Sequence, residues 1–463
     1  MPPQLLACGS NAASHLSINH PDDVFTLTPT VYHPSLPPIP DASIILDLVS
    51  TSAHSLLLIS TPASEGGVRP RNILLGAGTN TFGQLGPRCA LWDDINPEAR
   101  WKPLNLLNSA GVEGDWEPVK IASAWTTSFV VYQRISDSTQ DQSVSSSMSK
   151  ADTGSSQIKE DDVEQIVLSC GSNDFAELGS TTNVPLTLDA PAEIPISQAS
   201  RKPTIVEVGL RRGEKVEMIK GGQRHVIVVI SGRNGEQRVM GWGASRKGEL
   251  DAATLSSNIT NGSNSSAFNM AKGKGKGKAI SRPTTLPPTK IDLQIPPGER
   301  IVDVSLGASH TLALLSNGTV LGWGSNLKGQ ITDIHLLKDV KCIAATWNGS
   351  YFLTKSNRLL SQGSNTHSQL LRGSNAEAVR GEVEIPDGWG VYRIVAGSEH
   401  LLVHMKSTEM EEQGEGLWTG GWNEHGNLAL GDQEDRARLT RVGINGRIRG
   451  LWGGCASTWV WVG

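Results

Sequence analysis

A glycine-turn motif recurs seven times along the 463-residue chain, and this repeat constrains the fold more than any other feature. Clear copies read AGTNTFGQL from Ala77 and WGSNLKGQI from Trp323. Each copy has a glycine, in most cases an asparagine two positions later, and a leucine or isoleucine seven positions after the glycine. The glycines are Gly9, Gly78, Gly171, Gly243, Gly324, Gly363 and Gly421, and the asparagines are Asn11, Asn80, Asn173, Asn326, Asn365 and Asn423. We expect these residues to have structural roles in a fold whose units pack on their neighbours.

A second motif alternates with the first and also occurs seven times. Its clearest copy, GASHTLALL (Gly307–Leu315), is a small, polar turn followed by an apolar run, which predicts a buried strand. We expect it to be an inner strand of each unit, packed on both faces. Four copies carry a histidine at the same position, namely His54, His225, His310 and His400. We expect each histidine to bond to neighbouring backbone and not to bind metal, because a ring holds equivalent positions apart.

The order of the two motifs at the chain ends predicts how the repeat closes. The chain starts with the glycine-turn motif and ends with the other one, so the last strand, Ser457–Gly463, lacks its hairpin partner. The first strand, Gln4–Gly9, can supply this partner and so remove an open sheet edge, which is costly. The sequence therefore predicts an all-β fold: a single seven-bladed β-propeller over residues 1–463, with its last blade closed by the N- and C-terminal strands.

The two motifs together resemble the repeat of the regulator of chromosome condensation family. The best copy is GASHTLALLSNGTVLGWGSNLKGQI (Gly307–Ile331), and degenerate copies cover nearly the whole chain. The resemblance implies a seven-bladed propeller. Within the family, the opening LLACGSN (Leu5–Asn11) and the ending GGCASTWVWVG (Gly453–Gly463) look like the stand-alone fungal alpha-tubulin suppressors, also called killer-toxin-insensitivity proteins. That group implies a non-catalytic partner of a small zinc-ribbon protein, in diphthamide formation on elongation factor two and Elongator-dependent modification of tRNA wobble uridine.

Two polar stretches interrupt the repeat. Residues 134–165 are rich in Ser, Asp and Gln with almost no large apolar side chain, so we expect a disordered insertion in a hairpin. Residues 252–290 contain KGKGKGK (Lys272–Lys278) and RPTTLPP (Arg282–Pro288), and we expect a second disordered insertion there. A solvated linker is one interpretation of these lysines, and contact with RNA phosphates is the alternative.

No motif in the chain predicts catalysis, a cofactor or a metal site. GAGTNTFG (Gly76–Gly83) resembles a phosphate-binding loop, but its glycine spacing differs from the dinucleotide fingerprint and it lacks the lysine of a Walker loop. The five cysteines lie far apart without a CxxC pair, which predicts free thiols and no zinc site or disulfide framework. We therefore expect a protein without enzymatic activity and without a bound cofactor.

Four tryptophans form the candidate partner-binding set: Trp125, Trp347, Trp389 and Trp452. Trp125 and Trp347 occupy the same position before a second-motif strand, and Trp452 lies near the equivalent turn of the last copy. A turn at this position should open at one end of the propeller, beside the central channel. Exposed aromatics there would form a hot spot for a protein partner. The alternative is that they plug the channel or pack between blades.

Charge and hydropathy narrow the choice of partner. The formal net charge of −5 gives no global attraction to nucleic acid, and no apolar run reaches the ~18 residues of a membrane span. Because no signal peptide is recognisable, we expect a cytosolic or nuclear protein without membrane contact or direct nucleic-acid binding. Two other functions stay open: nucleotide exchange on, or regulation of, a Ran-type small GTPase, and a scaffold for microtubule or trafficking proteins.

Overall fold

The computed structural model describes residues 3–63, 69–87, 98–135, 164–180, 202–251, 283–373, 378–409 and 414–463. Their strands form seven antiparallel sheets, and the first strands of the sheets surround a central channel. The predicted all-β, seven-bladed propeller is therefore confirmed.

The strands follow one another blade by blade along the chain. The N-terminal strands, which belong to the last blade, are β1 (Gln4–Gly9) and β2 (Val24–Pro29). Blade 1 contains β3 (Ile44–Ser50), β4 (His54–Thr61), β5 (Arg71–Gly78) and β6 (Glu98–Pro103). Blade 2 contains β7 (Trp116–Ala124), β8 (Thr127–Arg134), β9 (Gln165–Gly171) and β10 (Thr204–Ile205). Blade 3 contains β11 (Lys215–Gly221), β12 (His225–Ser231), β13 (Gln237–Ala244) and β14 (Thr285–Ile291). Blade 4 contains β15 (Ile301–Leu306), β16 (His310–Leu315) and β17 (Val320–Gly324).

The remaining three blades complete the ring. Blade 5 contains β18 (Val340–Ala345), β19 (Gly349–Thr354), β20 (Leu359–Gly363) and β21 (Arg380–Val383). Blade 6 contains β22 (Trp389–Ala396), β23 (His400–Ser407), β24 (Glu415–Gly421) and β25 (Arg436–Val442). Blade 7 combines β26 (Ile448–Gly454) and β27 (Ser457–Val462) with β1 and β2. A short helix, α1 (Leu106–Ala110), and a 3-10 turn, Ile334–Leu336, lie in connections between blades.

The predicted closure is confirmed. In the last blade the strand order is β2-β1-β27-β26. The N-terminal strand β1 pairs with β27 without a register shift, from Gln4 opposite Val462 to Gly9 opposite Ser457. Since β27 also pairs with β26, the two ends of the chain share one sheet and hold the ring shut.

The second-motif strand is an inner strand, as predicted, and it lies one strand outward from the channel. In blade 4, β15 lines the channel and β16 is the next strand outward. Every residue of β16 is buried, because strands of its own blade flank it and the neighbouring blades cover its faces. Only two of the six residues of β15 are buried. The most apolar run therefore marks the second strand of a blade.

The second predicted insertion is shorter than expected. Residues 252–282, with the lysine–glycine run, lie outside the described residues, but Thr285–Ile291 forms β14 and pairs with β13. The prolines at positions 287 and 288 fit this outermost strand, because its free edge needs no backbone donor. The first insertion does fall in a hairpin, between β8 and β9, but Arg134 and Gln165 belong to these strands, and residues 136–163 lie outside the described residues.

The glycine-turn motif is held by one repeated hydrogen bond. The asparagine Oδ1 accepts the backbone N–H of the leucine or isoleucine five residues later, as Asn80 does from Leu85 at 2.8 Å. The same bond occurs at Asn11, Asn173, Asn326, Asn365 and Asn423. Gly78 enters this turn with φ +108°, and a Cβ there would lie 2.4 Å from the Ala53 carbonyl oxygen. The motif is therefore a structural turn.

Asn80→Ala tests this turn. Asn80 is buried, and its Nδ2 also donates to the Gly86 oxygen at 2.8 Å. Alanine leaves the Leu85 N–H and the Gly86 carbonyl unsatisfied, so we expect a loss of about 2–3 kcal/mol in unfolding free energy. Equilibrium urea unfolding measures it. The control is Asn317→Ala, which removes an exposed bond to the Thr319 N–H, and a loss equal to that of the control would contradict the assignment.

The four repeated histidines join adjacent blades. The Nε2 atoms of these buried side chains lie 2.8–3.1 Å from a hydroxyl on the second strand of the next blade. The pairs are His54–Ser128, His225–Thr311, His310–Ser350 and His400–Thr458. The expected bond to neighbouring backbone is therefore wrong for Nε2, because the closest polar group across the blade interface is a side chain.

Two of the three blades that lack the histidine show a matching change on their neighbours. Thr127 and Gly349 occupy the histidine position in blades 2 and 5. The facing positions in blades 3 and 6 hold Val226 and Leu401, which are fully buried and have no hydroxyl. Histidine and hydroxyl are thus absent together at these two junctions, so no buried hydroxyl is left unpaired there.

The junction between blades 7 and 1 differs. Ser457 replaces the histidine, but the facing Ser55 keeps its hydroxyl, which donates to Ser50 Oγ at 2.9 Å and is therefore paired within its own blade.

Candidate protein-interaction site at the channel mouth

The turns between the first and second strands of the seven blades surround one mouth of the channel. A cavity of about 320 Å³ lies at this mouth and is lined by residues from all seven innermost strands. Trp125, Trp347 and Trp452 are among the lining residues. The structure therefore brings three of the four candidate tryptophans to the same end of the propeller.

Trp125 and Trp347 meet across the mouth. They come from blades 2 and 5, yet their ring centroids are 5.6 Å apart with an angle of 36° between the planes. Trp125 keeps 38% of its surface exposed, and Trp347 is half-buried. The two indoles therefore cover the channel and still present aromatic surface to solvent, which combines the two interpretations of the sequence.

Backbone hydrogen bonds between blades hold the tryptophan turns. The Trp125 N–H donates to the Gln223 oxygen at 3.0 Å, and the Trp347 N–H donates to the Ser398 oxygen at 2.7 Å. On its other side, the Trp347 oxygen accepts the Ala308 N–H at 3.0 Å. Because each turn is bonded to the turns of neighbouring blades, the indoles are positioned before any partner arrives.

The other two candidate tryptophans differ from this pair. Trp452 is half-buried in the channel wall, where its Nε1 donates to Asp47 Oδ1 at 3.1 Å. Trp389 does not lie at the mouth, so its inclusion is wrong. It starts β22, whose other end reaches the cavity, and it packs edge-on against Trp418 with ring centroids 4.5 Å apart. Arg441 lies over the same Trp389 ring at 5.1 Å.

The channel carries charges of both signs and no activated nucleophile among the described residues. Burial raises the pKa of Asp303, and Lys220 and Arg393 oppose that shift. Cys455 also lines the cavity, and burial raises the pKa of its thiol to about 11, so the thiol is protonated at neutral pH. Within the described ranges, no group of three or more His, Cys, Asp and Glu side chains could hold a metal ion.

Sequence reasoning missed two exposed apolar residues on the same face. Leu327 is 84% exposed and Phe82 is also exposed, and both lie in glycine-turn loops. These loops share the end of the propeller that carries the tryptophan turns, because Gly78 pairs with His54 where β4 starts. An apolar side chain in an otherwise polar turn was the available signal.

Comparison with known proteins agrees with this geometry. The crystal structure of human WBSCR16 has the same fold, with a TM-score of 0.64 at 16% identity, over 99% of this chain and 100% of that one. A family model described as the regulator of chromosome condensation (RCC1) repeat matches residues 301–330. The chain is therefore an RCC1-like propeller, with one recognisable RCC1 repeat at residues 301–330. This RCC1-like chain is also 27% identical over 248 residues to the ultraviolet-B receptor UVR8 of Arabidopsis thaliana.

The UVR8 match covers 50% of this chain and 47% of the receptor, so the RCC1-like chain aligns with about half the length of that curated relative. In the part of the chain that the structure describes, no helix has the length and apolar character of a membrane span.

Proposed function

We propose that this RCC1-like propeller is a non-catalytic interaction module that docks a protein partner on its tryptophan mouth. The observation that carries the proposal is the contact between Trp125 and Trp347, with exposed indole surface at the centre of a concave face. Binding energy in protein interfaces concentrates on such central aromatics. Their backbone bonds to neighbouring blades reduce the entropy lost on binding, because the indoles are already ordered.

The partner that we propose is a small zinc-ribbon protein of diphthamide synthesis. The pair would then support diphthamide formation on elongation factor two and Elongator-dependent modification of tRNA wobble uridine, in the cytosol or nucleus. Support comes from the chain's terminal motifs, LLACGSN and GGCASTWVWVG, which resemble the stand-alone fungal group with that role. A small compact domain with short loops also suits a mouth whose cavity measures about 320 Å³.

Regulation of a Ran-type small GTPase is the second candidate. The match of residues 301–330 to the RCC1 repeat favours it, because that repeat defines a family of regulators as well as a fold. A scaffold for microtubule or trafficking proteins would use the same mouth. Stoichiometric partners distinguish the three functions.

The test is quantitative mass spectrometry of proteins that co-purify with the tagged, full-length chain. Trp125→Ala/Trp347→Ala is expected to weaken partner binding by about 30-fold or more, since hot-spot aromatics contribute about 2 kcal/mol or more each. Trp389→Ala is the matched control at the opposite end of β22 and should retain the partner. Melting temperatures of all variants report any loss of folding.

Recovery of a small GTPase without a zinc-ribbon protein would reject the first candidate in favour of the second. Unchanged affinity in the folded double variant, together with a lower melting temperature, would assign Trp125 and Trp347 to the core and reject the docking site.

A further inference from the structure

A second cavity, of about 390 Å³, lies between blades 6 and 7, and its lining is strongly basic. We call it the basic cleft and define it by Arg393, Lys406, Arg447 and Arg449, with Glu415 and His404 in its wall. The four cationic side chains are exposed. The cleft lies towards the channel end opposite the tryptophan mouth, because Ile448 starts β26 and Gly454, at the end of that strand, lines the mouth.

The cations of the basic cleft greatly outnumber its carboxylates. Glu415 is engaged already: one oxygen accepts the Ile448 N–H at 2.7 Å, and the other lies 3.3 Å from His404 Nε2. The ion pairs found between described residues include none of the four cations. Arg393 also lies close enough to the channel carboxylate Asp303 to lower its pKa, so the positive charge that the described chain leaves without an ion-pair partner resides mainly on Lys406, Arg447 and Arg449.

The charges of the cleft shift the pKa of the buried His404. Burial is the main cause that lowers the pKa of His404, Glu415 raises it, and Lys406 and Arg393 lower it further. The imidazole is therefore neutral at pH 7 and adds no charge to the cleft. The excess positive charge resides on the arginines and Lys406.

An aromatic and apolar surface adjoins these cations. Tyr392 is 58% exposed, and the Lys406 ammonium lies 3.8 Å from its ring centroid. Ile44 and Leu46, also exposed, belong to the first half of β3, and β3 contacts β26 of blade 7. Exposed apolar side chains therefore lie at the same end of the channel as the cations of the cleft.

We propose that the basic cleft binds an extended, acidic segment of a protein partner, with carboxylates on the arginines and an apolar side chain against Tyr392. Guanidinium groups bind carboxylates through paired hydrogen bonds, which gives orientation as well as charge neutralisation. Electrostatic complementarity of this kind speeds association and selects partners. Arg393 lines both cavities, but Lys406, Arg447 and Arg449 line only the basic cleft, so the proposal does not depend on the function proposed for the tryptophan mouth.

Charge distribution favours a peptide over RNA. The chain has a net charge of −5, and the four cations are confined to one cavity of about 390 Å³. Nucleic-acid binding draws on many phosphate contacts along a basic stripe. Glu415 in the wall is a carboxylate that an anionic ligand must avoid, and a peptide can place its acidic side chains at intervals around it.

The test is fluorescence anisotropy of the full-length protein with a fluorescein-labelled ten-residue peptide of alternating Asp and Leu. A peptide with Asn in place of each Asp is the matched ligand. Binding of the acidic peptide is expected to be at least tenfold tighter than that of the amide peptide, and to weaken as NaCl rises from about 50 to 300 mM. Arg447→Glu/Arg449→Glu is expected to lose about tenfold or more in affinity.

Matched variants separate the cleft from general charge effects. Lys328→Glu/Lys338→Glu makes the same change in net charge at exposed sites elsewhere and should bind as the wild type does. Glu415→Gln should bind the acidic peptide about threefold more tightly, since one repulsive charge is removed. Because Arg449 lies over Trp461 at 5.7 Å, the milder Arg447→Gln/Arg449→Gln variant and melting temperatures exclude unfolding as the cause.

Trp125→Ala/Trp347→Ala should leave peptide binding unchanged, so the two proposals fail separately. The inference is overturned if the amide peptide binds equally well, if the Lys328/Lys338 variant loses as much affinity as the cleft variant, or if a ten-nucleotide oligouridylate binds the cleft more tightly than the acidic peptide.

Discussion

Truncation after Ala456, which removes only β27 and Gly463, is expected to abolish the soluble folded protein. Every residue of β27 is buried, and the strand pairs with both β26 and β1. Trp459 is fully buried against Trp101 of blade 1, with ring centroids 5.7 Å apart. Its loss would expose two sheet edges, detach the N-terminal strand from blade 7 and open the ring. Solubility, circular dichroism and thermal melting measure the result.

A longer deletion elsewhere provides the control for this truncation. Replacement of residues 252–282 by a short Gly–Ser linker removes more of the chain but none of the described strands. The melting temperature should then stay within a few degrees of the wild type. A truncated protein that is soluble and melts cooperatively near the wild-type temperature would show that closure by the chain ends is dispensable.

Acidification from pH 7.5 to 5.5 is expected to lower the unfolding free energy by about 5 kcal/mol. Burial lowers the pKa of His54 and His225 to about 3 and that of His15, His310 and His400 to about 4. Below the ordinary histidine value of about 6.5, the unfolded chain binds protons that the folded chain does not bind. This stability is therefore complete above pH 6.5 and is lost as the pH falls towards 4.

The magnitude follows from five histidines and one opposing carboxyl. Each histidine lowers the free energy of unfolding by about 1.4 kcal/mol at pH 5.5, which gives about 7 kcal/mol for the five. Burial raises the pKa of Glu177 to about 7, so its contribution runs in the opposite direction and is lost as the pH rises. It offsets about 2 kcal/mol of the histidine effect between pH 7.5 and 5.5. Urea unfolding at several pH values measures the slope.

A variant based on another blade junction of the same chain tests whether the histidines cause this acid sensitivity. His225→Thr/Thr311→Val reproduces the residue types of the blade 2–3 junction, where Thr127 faces the position of Val226. In the variant, the slope of unfolding free energy against pH should be smaller by about 1.4 kcal/mol per pH unit below pH 6.5, because one fewer histidine takes up a proton on unfolding. His335→Thr, at an exposed site, should leave the slope unchanged. Equal slopes for wild type and double variant would assign the acid sensitivity to other groups.

The local parts of the repeat were predictable from the sequence. The asparagine of each glycine turn bonds an N–H only five residues away, as Asn80 does, so one copy of the motif contains the whole interaction. The count of blades and the closure by Gln4–Gly9 and Ser457–Gly463 follow from the number and order of the motifs. The apolar run was predictable as an inner strand, because apolarity reports burial. Its place as the second strand of the blade, outside the channel-lining strand, is shown only by the sheet order.

The candidate surfaces depend on contacts that no local pattern contains. Trp125 and Trp347 are far apart in the chain, and they touch because turns of blades 2 and 5 meet at one mouth of the channel. Trp389 has the same residue type but lies at the opposite end of its strand, where it packs against Trp418. The pairing of a histidine with a hydroxyl also depends on which strand the next blade places opposite it. By itself, the sequence determined the repeat, its number and its closure, since these follow from local order along the chain. Only the tertiary structure decided which side chains meet at each mouth, because the curvature of the ring brings together residues from separate blades.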